Sequence, residues 1–196
     1  MQKLAHPLET LVKTLSYKGV DFELVERPDV IWVGCVKYAN NNTDEPNMDG
    51  VMERYQKLCK EAPYREKVNP DYSACLSINF STSEKPCGMM YACEFYPDQQ
   101  HKGFDLLTQP GGLWLRVRND EKAAALCSYD GTTPFNPWEY THAYFAGEQS
   151  PLASAAKEHG YTQNPDVHMQ IEYHCHAEYG TPPHTNYAYI PIKEIA

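Results

Sequence analysis

The sequence predicts an α+β fold built from two strand–helix–strand–strand units, and three features of the chain carry that expectation. Short runs rich in Val, Ile and Tyr alternate with polar residues at a period of two, as strands with unlike faces do. Other stretches space their apolar residues at three and four, as helices do. The order strand, helix, strand, strand then occurs twice in 196 residues without evident identity between the copies, so an internal duplication inside one domain accounts for it. That length suits one domain, or two small units sharing a core.

At the N-terminus Leu4, Leu8, Leu11 and Leu15 make one helical stripe with Val12 beside it. Residues 1–19 are therefore expected to be a helical extension docked on the body or on a partner subunit, which leaves a homodimer open. Residues 20–196 form the single main domain. Its first repeat covers about 20–100. Residues 20–26 alternate as a strand that Pro28 breaks, and residues 30–38 read as the next strand. The polar run 40–47 leads into a helix whose buried side is Met48, Val51, Met52, Tyr55, Leu58 and Cys59, ended by Pro63. Strands at 72–80 and 88–96 follow, joined as a hairpin through the polar residues 81–86.

The second repeat covers about 104–196. Pro110, Gly111 and Gly112 open a strand that runs to Arg118. Asn119, Asp120 and Glu121 are suited to cap a short helix through Leu126, and Asn136-Pro137 another from Trp138 with Thr141, Tyr144 and Phe145 on one face. A third helix is expected from Pro151 to Lys157, stopped by Gly160. Residues 167–176 and 186–192 close the chain as two strands.

Composition excludes several classes. Hydrophobic residues make up 42%, enough for a core. The net charge of −9, with no run of Lys and Arg, is unsuited to direct nucleic-acid binding. No segment approaches the ~18 apolar residues of a membrane span. The seven cysteines show no Cys-x-x-Cys spacing, and no signal peptide is legible, so a cytoplasmic setting is expected. Neither a Gly-x-Ser-x-Gly elbow nor a phosphate-binding glycine loop is present, and no catalytic residue or cofactor is assigned.

The strand at 167–176 carries the candidate chemistry. Gln170, Glu172, His174 and His176 fall on one face and Ile171, Tyr173 and Cys175 on the other, while Tyr187 and Tyr189 share a face of the closing strand. A carboxylate in aromatic surroundings is costly unless paired, so Glu172 is either an exposed strand residue or the counter-charge of a cationic ligand held by cation–π contacts. Glu172, His174 and His176 also form a Glu-x-His-x-His run, but no spacing matches a dedicated zinc motif, and histidines at an exposed strand end are the favoured reading over a metal site.

Four segments resemble the gyrase-inhibitor-like proteins and the effector-binding domains attached to bacterial transcription activators. Residues 30–40 look like the family's opening strand, and Val68-Asn69-Pro70 precedes the third strand as it does there. Met169-Gln170-Ile171-Glu172-Tyr173 resembles an apolar-x-x-Glu-Tyr strand, and Tyr187-Ala188-Tyr189-Ile190-Pro191-Ile192 the closing Tyr-Ile-Pro-Ile strand. The resemblance implies a curved antiparallel sheet flanked by helices, with a ligand groove between the halves. There a glutamate is counter-charge and tyrosines are walls for a flat, often cationic molecule. It maps the counter-charge to Glu172 and a wall to Tyr189, with Tyr187 where relatives often carry a second acid. Periodicity adds Trp32, Tyr38, Tyr55, Trp114, Trp138 and Tyr144 to the candidate lining. No DNA-binding region is legible ahead of the domain, so the expectation is a stand-alone sensor or sequestering protein for a small aromatic or cationic molecule. Residues 120–135 look like an insertion. The rivals are a hydrolase of reactive molecules with Glu172 as base and Tyr189 as donor, a metal protein on the Glu-x-His-x-His run, and a groove for a peptide or another chain.

Overall fold

A computed structural model describes residues 8–40, 47, 49–61, 72–79, 85–95, 103–118, 120–127, 150–175 and 185–195. Ten strands appear among them: β1 (Thr10–Tyr17), β2 (Val20–Arg27), β3 (Val30–Tyr38), β4 (Tyr72–Ile78), β5 (Gly88–Phe95), β6 (Asp105–Gln109), β7 (Gly112–Arg118), β8 (Tyr161–Gln163), β9 (Met169–Cys175) and β10 (Thr185–Glu194). The helices are α1 (Val51–Glu61), α2 (Glu121–Cys127) and α3 (Pro151–Glu158). The strands form one curved sheet in the order β1-β2-β7-β10-β9-β4-β5-β3-β6, with β8 paired to β10 off that path. From the centre outwards the order is symmetric: β9 beside β4, then β10 and β5, β7 and β3, β2 and β6. The units β3-α1-β4-β5 and β7-(α2, α3)-β9-β10 thus hold equivalent places, as a duplication requires.

The N-terminal helix is overturned where the chain is described. Thr10–Tyr17 is a strand, paired antiparallel with β2 from Thr10↔Glu26 to Tyr17↔Val20. The hairpin turn is Lys18-Gly19, with φ of 48° and 80°, the left-handed geometry whose twist suits two-residue hairpins. The leucine spacing was a poor guide because the described part of the stripe does not bury one face: Leu11 is 54% and Val12 50% exposed, while Leu15 enters the core under the helices and Leu8 packs partly against the other. Thr10, Val12 and Thr14 supply the β-branched side chains that favour extended backbone. Strands β6 and β8 were also unforeseen; each is short, and adjacent Leu106 and Leu107 hide the alternation of β6.

The other described elements follow local chemistry. The Asp120 carboxylate accepts from the backbone N–H of Lys122 (3.0 Å) and Ala123 (2.9 Å) at the start of α2. Ser150 caps α3, its Oγ accepting from Ala153 N at 2.9 Å, and Pro151 sits at the position where a missing N–H costs nothing. The helix expected from Trp138, and residues 128–135 of the presumed insertion, lie outside the described residues.

Opposed residues of antiparallel strands share a face, so the register sorts the core. One row reads Phe22, Val117, Ala188, Glu172, Cys75, Tyr91, Cys35 across β2, β7, β10, β9, β4, β5 and β3. This face carries the helices. At one flank α2 and α3 bury Phe22, Leu24, Leu115, Val117 and Ile190 under Ala123, Leu152 and Ala156. At the other, α1 seals Val33, Cys35, Cys93 and Phe95 beneath Val51 and Tyr55. The adjacent row, Glu23, Arg116, Tyr189, Ile171, Leu76, Met90, Val36, belongs to the opposite face and to a second core. Burial of each large apolar side chain contributes roughly 1.5–3 kcal/mol. At Gly34 a Cβ would lie 1.8 Å from the Tyr91 carbonyl oxygen, so only glycine allows β3 and β5 to approach as they do.

Candidate ligand-binding site

The face away from the helices gathers five aromatic rings from four strands: Trp32 (β3), Trp114 (β7), Tyr173 (β9), and Tyr187 and Tyr189 (β10). Tyr173 and Tyr189 have ring centroids 5.7 Å apart, Trp32 and Tyr173 meet edge to face at 5.7 Å, and Tyr187 and Tyr189 lie 6.2 Å apart. Such pairs gain attraction beyond the area that they bury.

Among these rings lies a chain of alternating charge. The Tyr173 hydroxyl and Arg27 Nη2 both donate to the Glu94 carboxylate. Arg27 Nε is 3.5 Å from Glu9 Oε1. Arg116 Nη1 donates to Glu9 Oε2 and also to the Tyr189 hydroxyl at 3.1 Å, and Arg116 Nε donates to Glu23 Oε2 at 2.8 Å. The order is therefore Glu94, Arg27, Glu9, Arg116, Glu23. Arg27 also has its guanidinium carbon 5.2 Å from the Tyr189 ring centroid, 5.8 Å from those of Trp114 and Tyr173, and 6.0 Å from that of Trp32. Arg116 lies 4.7 Å from the Tyr187 ring. These distances are in the range of cation–π attraction.

Burial alone disfavours the Arg27 charge, yet Glu94, Glu9 and the two phenol oxygens outweigh it and push its pKa up. For Arg116, burial likewise opposes the charge, and Tyr189, Glu9 and Glu23 raise it. Both guanidiniums are held ionised. Burial, reinforced by Glu94 at Tyr173 and by Glu9 at Tyr189, holds both phenols well above their ordinary range, so they stay protonated donors.

The residues expected from sequence divide between the two faces. Tyr187, Tyr189, Trp114 and Trp32 come together on the aromatic face. Tyr38 falls on the same side of β3 as Trp32 but at its far end, 46% exposed with its ring against Gly88. Tyr55 projects from α1 onto the other face, against Cys93 and its neighbours. Glu172 is buried, 3% exposed, on that same helix-bearing face, opposite Ala188 and Cys75. It is thus separated by the sheet from Tyr187 and Tyr189, and the base-and-donor pair of Glu172 with Tyr189 is not assembled. The physical reason is register: Tyr189 opposes Ile171, so alternation turns Glu172 away. Around Glu172 lie Ser73, Ser77, Cys75 and Gln170, all buried, and burial followed by the Glu172 charge pushes the Cys75 thiol up, which keeps it unreactive. Trp138, Tyr144, His176 and the side chain of His174 lie outside the described residues.

Sequence reasoning missed Arg27, Arg116, Glu9, Glu23, Glu94 and Gln109. A signal existed for Glu94: a lone carboxylate in the apolar run 88–95 demands a partner. Its partner Arg27 lies 67 positions away, and nothing local connects them.

No protein-family model matches the sequence, and no curated protein is significantly similar to it. Solved structures are similar to it in fold. SAV2435 bound to tetraphenylphosphonium is 12% identical, with 88% of this chain and 93% of that one covered at a TM-score of 0.53. The C-terminal domain of EcmrR is 10% identical, covering 89% of this chain and 98% of that one at 0.52. EcmrR in a DNA complex gives 12% identity, 89% and 57% coverage, and 0.52. Among the described residues no helix is long and apolar enough to cross a membrane. The symmetric ten-stranded sheet with its helices on one face is, accordingly, a fold that this chain shares with SAV2435 and the C-terminal domain of EcmrR.

Proposed function

We propose that this protein binds a small aromatic molecule against the aromatic face of its sheet, as a sensor or a sequestering protein. The observation that carries this reading is the convergence of Trp32, Trp114, Tyr173, Tyr187 and Tyr189 on one face around two buried guanidiniums. A core that served stability alone would gain little from them, because buried ion pairs are often no better than apolar residues of the same volume, whereas they discriminate sharply among ligands. The fold supports the reading as well, since SAV2435 takes up a molecule made of phenyl rings. Tyr187, Tyr189, Trp114 and Trp32 are the lining residues this proposal retains from the sequence, with Tyr173 beside them. Glu172 stands on the other face, and the proposal gives it no part in the contact.

Tryptophan fluorescence tests this, since Trp32 and Trp114 both line the face. A panel of uncharged and cationic aromatic compounds is expected to include saturable quenchers. They should also raise the melting temperature, by about 2.7 kcal/mol of added stability at a hundredfold excess over Kd. Tyr187→Ala should weaken binding by roughly tenfold through the lost ring contact, while Glu172→Gln leaves it unchanged. If no compound both quenches and stabilises, the reading is wrong; if Glu172→Gln abolishes binding, the site is on the other face.

A further inference from the structure

We infer that the ligand of this face is an uncharged aromatic molecule carrying a carbonyl oxygen, and that the site excludes lipophilic cations because its cation is built into the chain as Arg27. The inference rests on the proposed aromatic site and names the class of molecule it takes.

The groups that would recognise a cation are already turned on Arg27. Its guanidinium carbon is within 6.0 Å of the Trp32, Trp114, Tyr173 and Tyr189 rings. Glu94 and Glu9 pair with it from two sides. An incoming cation would have to displace a tethered, fully buried guanidinium from rings and carboxylates together. It would then leave that guanidinium without compensation in a low-dielectric core.

The same arrangement leaves donors over. Arg27 Nη1 and Gln109 Nε2 are buried and have no hydrogen-bond partner among the described residues. Both residues adjoin one indole: Gln109 Oε1 accepts from Trp32 Nε1 at 3.0 Å, and Arg27 lies against the same ring. Buried N–H groups without an acceptor are destabilising, so this end of the face is complementary to an oxygen. A carbonyl fits better than a carboxylate. The charged chain holds three carboxylates (Glu9, Glu23, Glu94) against two guanidiniums (Arg27, Arg116), an excess of one negative charge that a second anion would aggravate.

Three compounds that share two phenyl rings and differ in the central group separate these possibilities: benzophenone, diphenylmethane and benzhydrylammonium. Calorimetric titration of the wild-type protein should rank benzophenone roughly tenfold ahead of the other two, the effect of one hydrogen bond to otherwise unpaired donors. Gln109→Met should erase much of its lead over diphenylmethane. In the double variant Arg27→Met with Glu94→Gln the cage loses its internal cation and keeps Glu9, so benzhydrylammonium should overtake benzophenone. Circular dichroism establishes that each variant is folded, and Gln109→Met carries the test if the double variant is not. Benzhydrylammonium binding tightest to the wild type would overturn the inference and leave the aromatic site standing. Equal affinity for benzophenone and diphenylmethane would also overturn it, since water would then satisfy the donors. Failure of all three to bind any variant would remove the site itself.

Discussion

Replacing Glu94 by glutamine removes the charge at one end of the ionic chain while leaving the side-chain volume nearly unchanged. The wild-type carboxylate accepts from both Arg27 Nη2 and the Tyr173 hydroxyl, with Glu94 and Arg27 side chains 1% and 0% exposed. A glutamine oxygen can serve one of these donors, and its NH2 then faces the other as a second donor. Breaking a buried pair from one side costs about 3–5 kcal/mol. Glu9, 3.5 Å from Arg27 Nε, still compensates part of the charge, so the lower end, about 3 kcal/mol, applies. For a chain of this length that corresponds to a melting-temperature drop of roughly 6–12 °C. Urea unfolding followed by circular dichroism measures the loss directly. The double variant Arg27→Met with Glu94→Leu should be less destabilised than the sum of the single changes, because neither charge is then left alone. A loss below about 1 kcal/mol for Glu94→Gln, or strict additivity in the double variant, would refute the claim that these side chains form a coupled buried network.

Two further outcomes follow from the same structure. Ser150→Ala removes the oxygen that accepts from Ala153 N at the start of α3 and should cost about 1 kcal/mol in urea unfolding, with Ser150→Asp close to wild type. At alkaline pH, Tyr173 and Tyr189 keep their protons in the folded state after the unfolded chain has lost them near pH ~10. The folded protein then binds more protons than the unfolded one, so stability falls as pH rises through that point, having been fully present below it. Spectrophotometric titration should show at least two tyrosines, Tyr173 and Tyr189, that ionise only on unfolding, and the decline should shrink in Tyr173→Phe.

Much of the fold was legible because strands and helices announce themselves through periods of two and of 3.6 residues. The strands at 20–26, 30–38, 72–80, 88–96 and 112–118, the helix after residue 50 and the helix opened by Pro151 all arise from neighbours in the chain. The reading failed where two periods coincided. Leu4, Leu8, Leu11 and Leu15 satisfy a helical stripe, but Thr10–Tyr17 obeys its β-branched residues and the Lys18-Gly19 turn, since pairing with β2 supplies hydrogen bonds that a lone helix would have to find within itself. The site divided in the same manner. Alternation correctly put Tyr187 with Tyr189 and set Glu172 apart from Tyr173, yet it could not say which side of β9 meets those two tyrosines.

By itself, then, the sequence determined most of the local elements, though not β1, β6 or β8, together with their doubled order and the concentration of tyrosine in the closing strands. Only the tertiary structure decided that Ile171 and not Glu172 stands opposite Tyr189, and that Arg27 and Glu94 meet across 67 positions. The physical reason is that periodicity is a property of a few adjacent residues, whereas strand order and register are set by which faces find apolar partners once the whole sheet closes. A slip of one residue costs nothing in local propensity and exchanges every side chain between the two cores.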